Sequence, residues 1–129
     1  MKKIIVTLLI VLAMALALTG CAGSDSGDDD IVVLTERFFV TQFSQIILNQ
    51  QQYVGRTLQY EGHFRTVQGE TRTFYEVYRY VVCCENKPFG FEIILGDIEP
   101  FEDNTWVELT GILENRDGSL VIRALSIRD

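Results

Sequence analysis

The sequence predicts a mainly β fold: a small five-stranded OB-like Greek-key barrel with a short N-terminal strand/helix extension, preceded by a signal peptide. Three observations predict it. Apolar residues alternate at period two in several short segments, the spacing of half-buried strands. Turn-forming clusters separate these segments at hairpin distances. A longer acidic, proline-containing connection falls between the third and fourth strands, as in this type of barrel.

Along the chain, Met1-Lys2-Lys3 precedes an uncharged apolar run from Ile4 to Leu18. Two cations, a short apolar stretch and small residues at its end make a secretory signal peptide over residues 1–20. Fifteen residues reach about 22 Å as a helix. A hydrocarbon core of about 30 Å asks for about 20 residues, so a permanent span is the weaker reading. Leu18-Thr19-Gly20-Cys21 resembles the bacterial lipobox, in which diacylglycerol alkylates the cysteine thiol and the bond before it is cut. The resemblance implies cleavage between Gly20 and Cys21, acyl chains of the palmitate kind on Cys21, and a lipid anchor on the extracytoplasmic face of the cell membrane. Each buried methylene contributes about 0.8 kcal/mol, so two chains hold durably where one is marginal.

Residues 21–30 read as the lipidated cysteine and an acidic tether. Ala22 to Asp30 carries no large apolar side chain, so the segment cannot offset its ordering entropy by burial. Its aspartates lack the spacing and the closing glutamate of an EF-hand loop. The folded domain is expected over residues 31–129.

Within it, Arg37 to Phe43 is apolar and reads as extended, and Ser44 to Tyr53 as a short helix closed by Gly55. Thr57 to Phe64 alternates, with Leu58, Tyr60 and Phe64 on one face. After the turn at Gln68-Gly69-Glu70-Thr71, a strand rich in Tyr, Phe and Val runs from Thr73 to Cys83. Its alternation is imperfect, which calls for a bulge or for cover on both faces. Phe89 to Leu95 is the third strand, with Phe91 and Ile93 inward, and Gly96 to Glu102 the long connection. Thr105 to Leu113 is the fourth, with Val107, Leu109 and Leu113 on one face and Gly111 at a bend. Asn115-Arg116-Asp117-Gly118 is a hairpin turn before the last strand, Leu120 to Ile127.

Residues able to carry chemistry are few. The chain has three cysteines and one histidine. Cys83 and Cys84 are adjacent; in an extended strand their side chains point to opposite faces, and a disulfide between neighbours is strained. Three readings stand: structural thiols, a vicinal disulfide, or a metal or redox site. His63 and Glu92 are candidate further ligands by chemical type, so a metal at Cys83 and Cys84 is the one cofactor considered. No HExxH, phosphate-binding glycine loop or serine-nucleophile motif occurs, which points away from an enzyme. Glu76 with Glu92 is the carboxylate pair to consider for acid–base work, though spacing alone gives it no support. Tyr75, Tyr78 and Arg79 form a candidate binding face of the kind that stacks oligonucleotides or oligosaccharides. Net charge argues against nucleic acid: it is −7 for the whole chain and −9 once Lys2 and Lys3 are removed with the leader.

The stretch Phe39-Val40-Thr41-Gln42, then Tyr53-Val54-Gly55-Arg56, Tyr78-Arg79-Tyr80, Cys83-Cys84, Gly90-Phe91-Glu92 and Trp106-Val107-Glu108-Leu109-Thr110-Gly111 resembles an uncharacterised bacterial family. The likeness covers nearly all of residues 36–128. It is to the C-terminal, OB-like domain of membrane-associated proteins found alongside a permease subunit, with free-standing lipoprotein forms. The chain departs from the longer members in lacking their transmembrane half. The resemblance implies a non-catalytic accessory or binding module, with a membrane-protein partner or a small ligand. It brings no catalytic residues with it.

Overall fold

The computed structural model describes residues 30–81 and 86–129. The leader, the Gly20–Cys21 cleavage site, most of the tether and the Cys83-Cys84 pair lie outside the described residues. Strand β1 (Val32–Val33) is followed by a single 3₁₀ turn (Glu36–Phe38) and two helices, α1 (Phe39–Leu48) and α2 (Gln50–Tyr53). Then come β2 (Thr57–Gln68), β3 (Thr73–Tyr80), β4 (Pro88–Ile94), β5 (Trp106–Arg116) and β6 (Ser119–Arg128).

The five long strands close into a barrel. Their order is β2-β3-β4-β6-β5, and β5 returns to pair with β2. All pairings among the five are antiparallel except β4 with β6, a parallel contact of three residue pairs. This is the OB-type Greek key expected from the sequence. Its seam is β2, whose twelve residues serve two neighbours: Thr57 to His63 pair with β5, and His63 to Gln68 pair with β3. Strand β1 adds a two-residue parallel edge at Leu58 and Gln59.

Alternation decides what faces inward. Leu58, Tyr60 and Phe64 of β2, Val77 of β3, Phe91 and Ile93 of β4, and Val107, Leu109 and Leu113 of β5 are all buried. The broken alternation of β3 comes from cover on both faces: Val77 points into the barrel while its neighbour Tyr78 is buried from outside. Gly111 marks the expected bend, since the β5–β6 register shifts between Thr110 and Gly111. Asp117 and Gly118 both take positive φ, 53° and 87°, so the hairpin needs a residue free of Cβ strain. Gly90 meets a different demand, because a Cβ there would collide with the Val77 carbonyl and the Tyr78 backbone on β3.

One expectation is corrected. Arg37 to Phe43 is not extended: it holds the 3₁₀ turn and the first half of α1. Phe39, Phe43 and Ile46 recur at i, i+4 and i+7, which is one face of a helix, and the consecutive Phe38-Phe39-Val40 hides that period. That face closes one end of the barrel. Phe39 packs on Tyr60 with ring centroids 5.5 Å apart, and Phe43 meets Phe91 at 4.6 Å and Phe89 at 5.8 Å. Gln42 on another side of α1 ties down the edge strand, its amide donating to the Val33 carbonyl (3.0 Å) and its oxygen accepting from Thr35 N (2.9 Å).

Inside, the Tyr60 hydroxyl donates to the Val77 carbonyl at 2.7 Å and accepts from Phe91 N at 3.4 Å, linking β2 to β3 and β4. Full burial pushes this phenol far above the ordinary tyrosine range. No buried side-chain polar atom among the described residues lacks a partner.

Two outcomes follow from this packing. Phe39→Ala empties the contact between helix and barrel and is expected to cost about 3–5 kcal/mol in urea denaturation. The alkaline limb of stability depends on Tyr60. Up to about pH 10 both folded and unfolded chains keep the phenol protonated. Above that the unfolded chain ionises while folded Tyr60 holds its proton, so stability falls by up to about 1.4 kcal/mol per pH unit for this group. Tyr60→Phe is expected to lose about 1 kcal/mol near neutral pH and to flatten the slope. Denaturation midpoints across the alkaline range decide it, an unchanged slope speaking against the role given to Tyr60.

Candidate functional site

Strands β2, β3 and β4 present an outer sheet face, the surface this barrel type commonly turns to ligands. Cross-strand register sets its chemistry. Arg65 lies opposite Glu76, and Glu76 lies opposite Glu92, forming one row across three strands. Two carboxylates directly opposed would repel. Each instead has its own guanidinium: Arg65 meets Glu76 through Nε at 2.7 Å and a terminal nitrogen at 2.5 Å. Arg72, from the β2–β3 turn, grips both oxygens of Glu92 at 2.6 and 2.7 Å. Bound this way, Arg72 is raised above the usual arginine value, through its hydrogen bonds to Glu92 and that carboxylate's charge. The Glu76–Glu92 pair is therefore brought together, but as a neutralised ladder. Both oxygens of Glu92 and one of Glu76 already hold a guanidinium.

At the other end of this face sits an aromatic group. His63 faces Trp106 with centroids 4.9 Å apart and Tyr78 at 5.7 Å, and Tyr78 meets Tyr80 at 5.3 Å. Asn104, at φ 72°, fixes the group from the long connection. Its side-chain oxygen accepts from the Tyr78 hydroxyl at 3.2 Å, and its carbonyl lies 3.2 Å from His63 Nδ1, which puts the proton on Nδ1. Asp103 beside it accepts from Thr66 N at 2.7 Å. The Arg65 guanidinium covers the Tyr78 ring at 4.3 Å. Burial pushes the Tyr78 phenol up, and neighbouring Tyr80 adds to the shift.

The candidate binding residues separate. Tyr75 and Tyr78, three apart on one strand, lie on opposite faces. Tyr75 stacks on Phe64 against the core, at 5.6 Å, and Tyr78 is 3% exposed. Arg79 is wedged between the rings of Phe39 and Trp106, 5.6 and 5.1 Å away, with Glu36 at 3.5 Å. The rings open to solvent near this group are instead Tyr80 (55%) and Trp106 (43%). Beside Tyr80, a cleft of about 460 Å³ is lined by Glu36, Arg37, Phe39, Thr41 and Arg79. His63 and Glu92 are not gathered around one point. Among the described residues no group of three or more His, Cys, Asp and Glu side chains is placed to hold a metal ion.

Tyr80 belongs to the aromatic cluster of Phe74, Tyr75, Tyr78 and Tyr80 that the sequence offers as a binding face; Trp106 and Asn104 carry no such signal as site residues. The Asp103-Asn104 pair is a recognisable turn signal, but its contact with Tyr78 depends on where the long connection crosses β2. That crossing is made by Asn104 N donating to the Phe64 carbonyl and Phe64 N to that of Thr105.

The family described as "DUF1980 C-terminal domain" matches residues 18–125, most of the chain. The chain belongs to this family. It is an uncharacterised family, and membership brings a barrel domain without a known reaction. No curated protein matches the chain. Among solved structures, a chain of "Structure and Conformational Change of a Replication Protein A Heterotrimer Bound to ssDNA" is similar over 58% of this chain and 57% of its own length. Identity is 18% and the TM-score 0.36. This chain spans little more than half of that one, and a likeness of that size says nothing of what this chain binds.

The Arg65–Tyr78 contact can be measured. In a double-mutant cycle of Arg65→Ala and Tyr78→Leu, a coupling of about 0.5–2 kcal/mol is expected from urea unfolding. Simple additivity would show that the stacking contributes nothing.

Proposed function

We propose that the chain is a lipid-anchored, extracytoplasmic, non-catalytic module of this family that serves as an accessory to a membrane protein such as a permease. The carrying observation is the lipobox Leu18-Thr19-Gly20-Cys21, behind a charged, short apolar leader and ahead of an acidic spacer. Two features of the barrel support it. Every core residue among those described is apolar or tyrosine, with no charged side chain enclosed. On the outer face Glu76 and Glu92 are each closed by an arginine, which leaves a surface suited to recognition more than to acid–base work. No cofactor is needed in this reading. The thiol-based alternative at Cys83 and Cys84 is separated by intact mass of the exported domain with and without reductant, together with metal analysis.

Metabolic labelling with an alkyne palmitate analogue tests the anchor. The native chain is expected to take the label and to enter the detergent phase, whereas Cys21→Ser takes none. Crosslinking of the labelled protein in cells is then expected to recover a membrane protein repeatedly. A native chain that stays unlabelled removes the anchor, and repeated recovery of no membrane partner removes the accessory role.

A further inference from the structure

The N-terminal edge of the domain carries exposed apolar side chains. Ile31 and Val33 are each 48% exposed and Phe38 is 56% exposed. They are held on one ordered edge: Val33 through its carbonyl to Gln42, and Phe38 through its amide to the Thr35 carbonyl at 3.1 Å. The Arg37 guanidinium lies over the Phe38 ring at 5.9 Å and has no carboxylate partner among the described residues. An aromatic ring with a cation on a long apolar stem beside it suits the boundary between headgroups and acyl chains, where the stem is buried and the charge stays wet.

From these observations we infer that this edge, Ile31, Val33 and Phe38 with Arg37, docks on the outer surface of the same bilayer that holds the acyl chains. The inference rests on the proposed anchoring at Cys21. Chain length argues for this occupant over any other. Nine residues, Ala22 to Asp30, separate Cys21 from Ile31; ten Cα-to-Cα steps put the edge within about 36 Å of the Cys21 Cα at full stretch. A Gly/Ser-type coil of that length would span about 16–19 Å. The first residues of the domain are thus the part nearest the membrane. A surface too weak to bind from free solution is engaged under those conditions, because a short tether sets an effective concentration on the order of millimolar.

Charge at the edge is mixed. Glu36 faces Arg79 at 3.5 Å, while Asp30 precedes Ile31 and Glu61 and Glu108 line the same cleft as Val33, which favours a zwitterionic over an anionic bilayer surface. The acidic connection holding Asp97, Glu99, Glu102 and Asp103 is tied to β2 at Phe64 and Thr66, whereas β1 is tied to it at Leu58 and Gln59. Six or seven residues of strand, about 20 Å, keep the two apart.

The test uses the full acylated chain in phosphatidylcholine vesicles with or without brominated acyl chains. Trp106 is the single tryptophan, so Trp106→Phe gives a silent background. Into it go Phe38→Trp or Leu48→Trp, two exposed apolar positions at opposite ends of α1, about 15 Å apart. The expected result is bromolipid quenching and a blue shift at position 38, with neither at position 48. Quenching at neither position, at 48 alone, or equally at both overturns the docking, as does a blue shift at 38 without quenching, which would mean a protein covers the edge. If the acylated chain fails to float with the vesicles, the anchor itself falls and the docking falls with it. Floating without quenching removes only the docking.

Discussion

The Tyr60 hydroxyl is the contact on which the rest of the barrel depends. At position 60 strand β2 pairs with β5 and has not yet met β3, so the sheet on that side would gape. The phenol bridges the gap, giving its proton to the Val77 carbonyl and taking one from Phe91 N. A leucine there would fill volume but leave the bridge unmade. The closeness of β3 and β4 at this level explains Gly90, whose missing side chain lets the strands approach. The same phenol ring is the floor on which Phe39 of α1 rests. One residue therefore joins three strands and receives the helix.

That helix lies before the barrel in sequence, which separates two jobs often joined in this fold type. Here the long connection between β4 and β5 contains turns but no helix, and runs outside to brace His63, Phe64 and Tyr78. Closing the barrel end falls to α1. The consequence is that the segment leading from the tether into the domain is part of the core, since Leu34, Phe39 and Ile46 are all buried.

Much of this was legible in the sequence, for physical reasons that can be named. Period-two alternation reports a sheet with one wet face, so β2, β5 and the inward residues Leu58, Tyr60, Phe64, Val107, Leu109 and Leu113 could be read off directly. Turn chemistry placed Gly118. The helix was half missed because Phe38, Phe39 and Val40 are apolar in succession, and a run of three fits either period. The face of Tyr75 and Tyr78 was read as one because both are tyrosines. Strand geometry puts residues three apart on opposite sides, and only register could say which ring is covered. Trp106 and Asn104 were out of reach for a related reason: they become neighbours of His63 through pairings that span about forty residues.

Most arginines among the described residues are already paired. Arg65, Arg72, Arg79, Arg116, Arg123 and Arg128 each lie against a glutamate. Glu114 takes two of them and is held below the usual carboxylate range, chiefly by Arg123 and then Arg116. A guanidinium already matched to a carboxylate must be freed before it can take a phosphate, and an exposed pair yields little Coulomb energy to a newcomer in salt water. What the paired face retains is shape: strands held in register by cross-linked side chains, with Tyr80 and Trp106 exposed at one end. Recognition by fit and by ring contact, which the proposed accessory role would use, would gain from a fixed place and orientation. An anchor, a short tether and an ordered apolar edge at the domain's entrance would supply both.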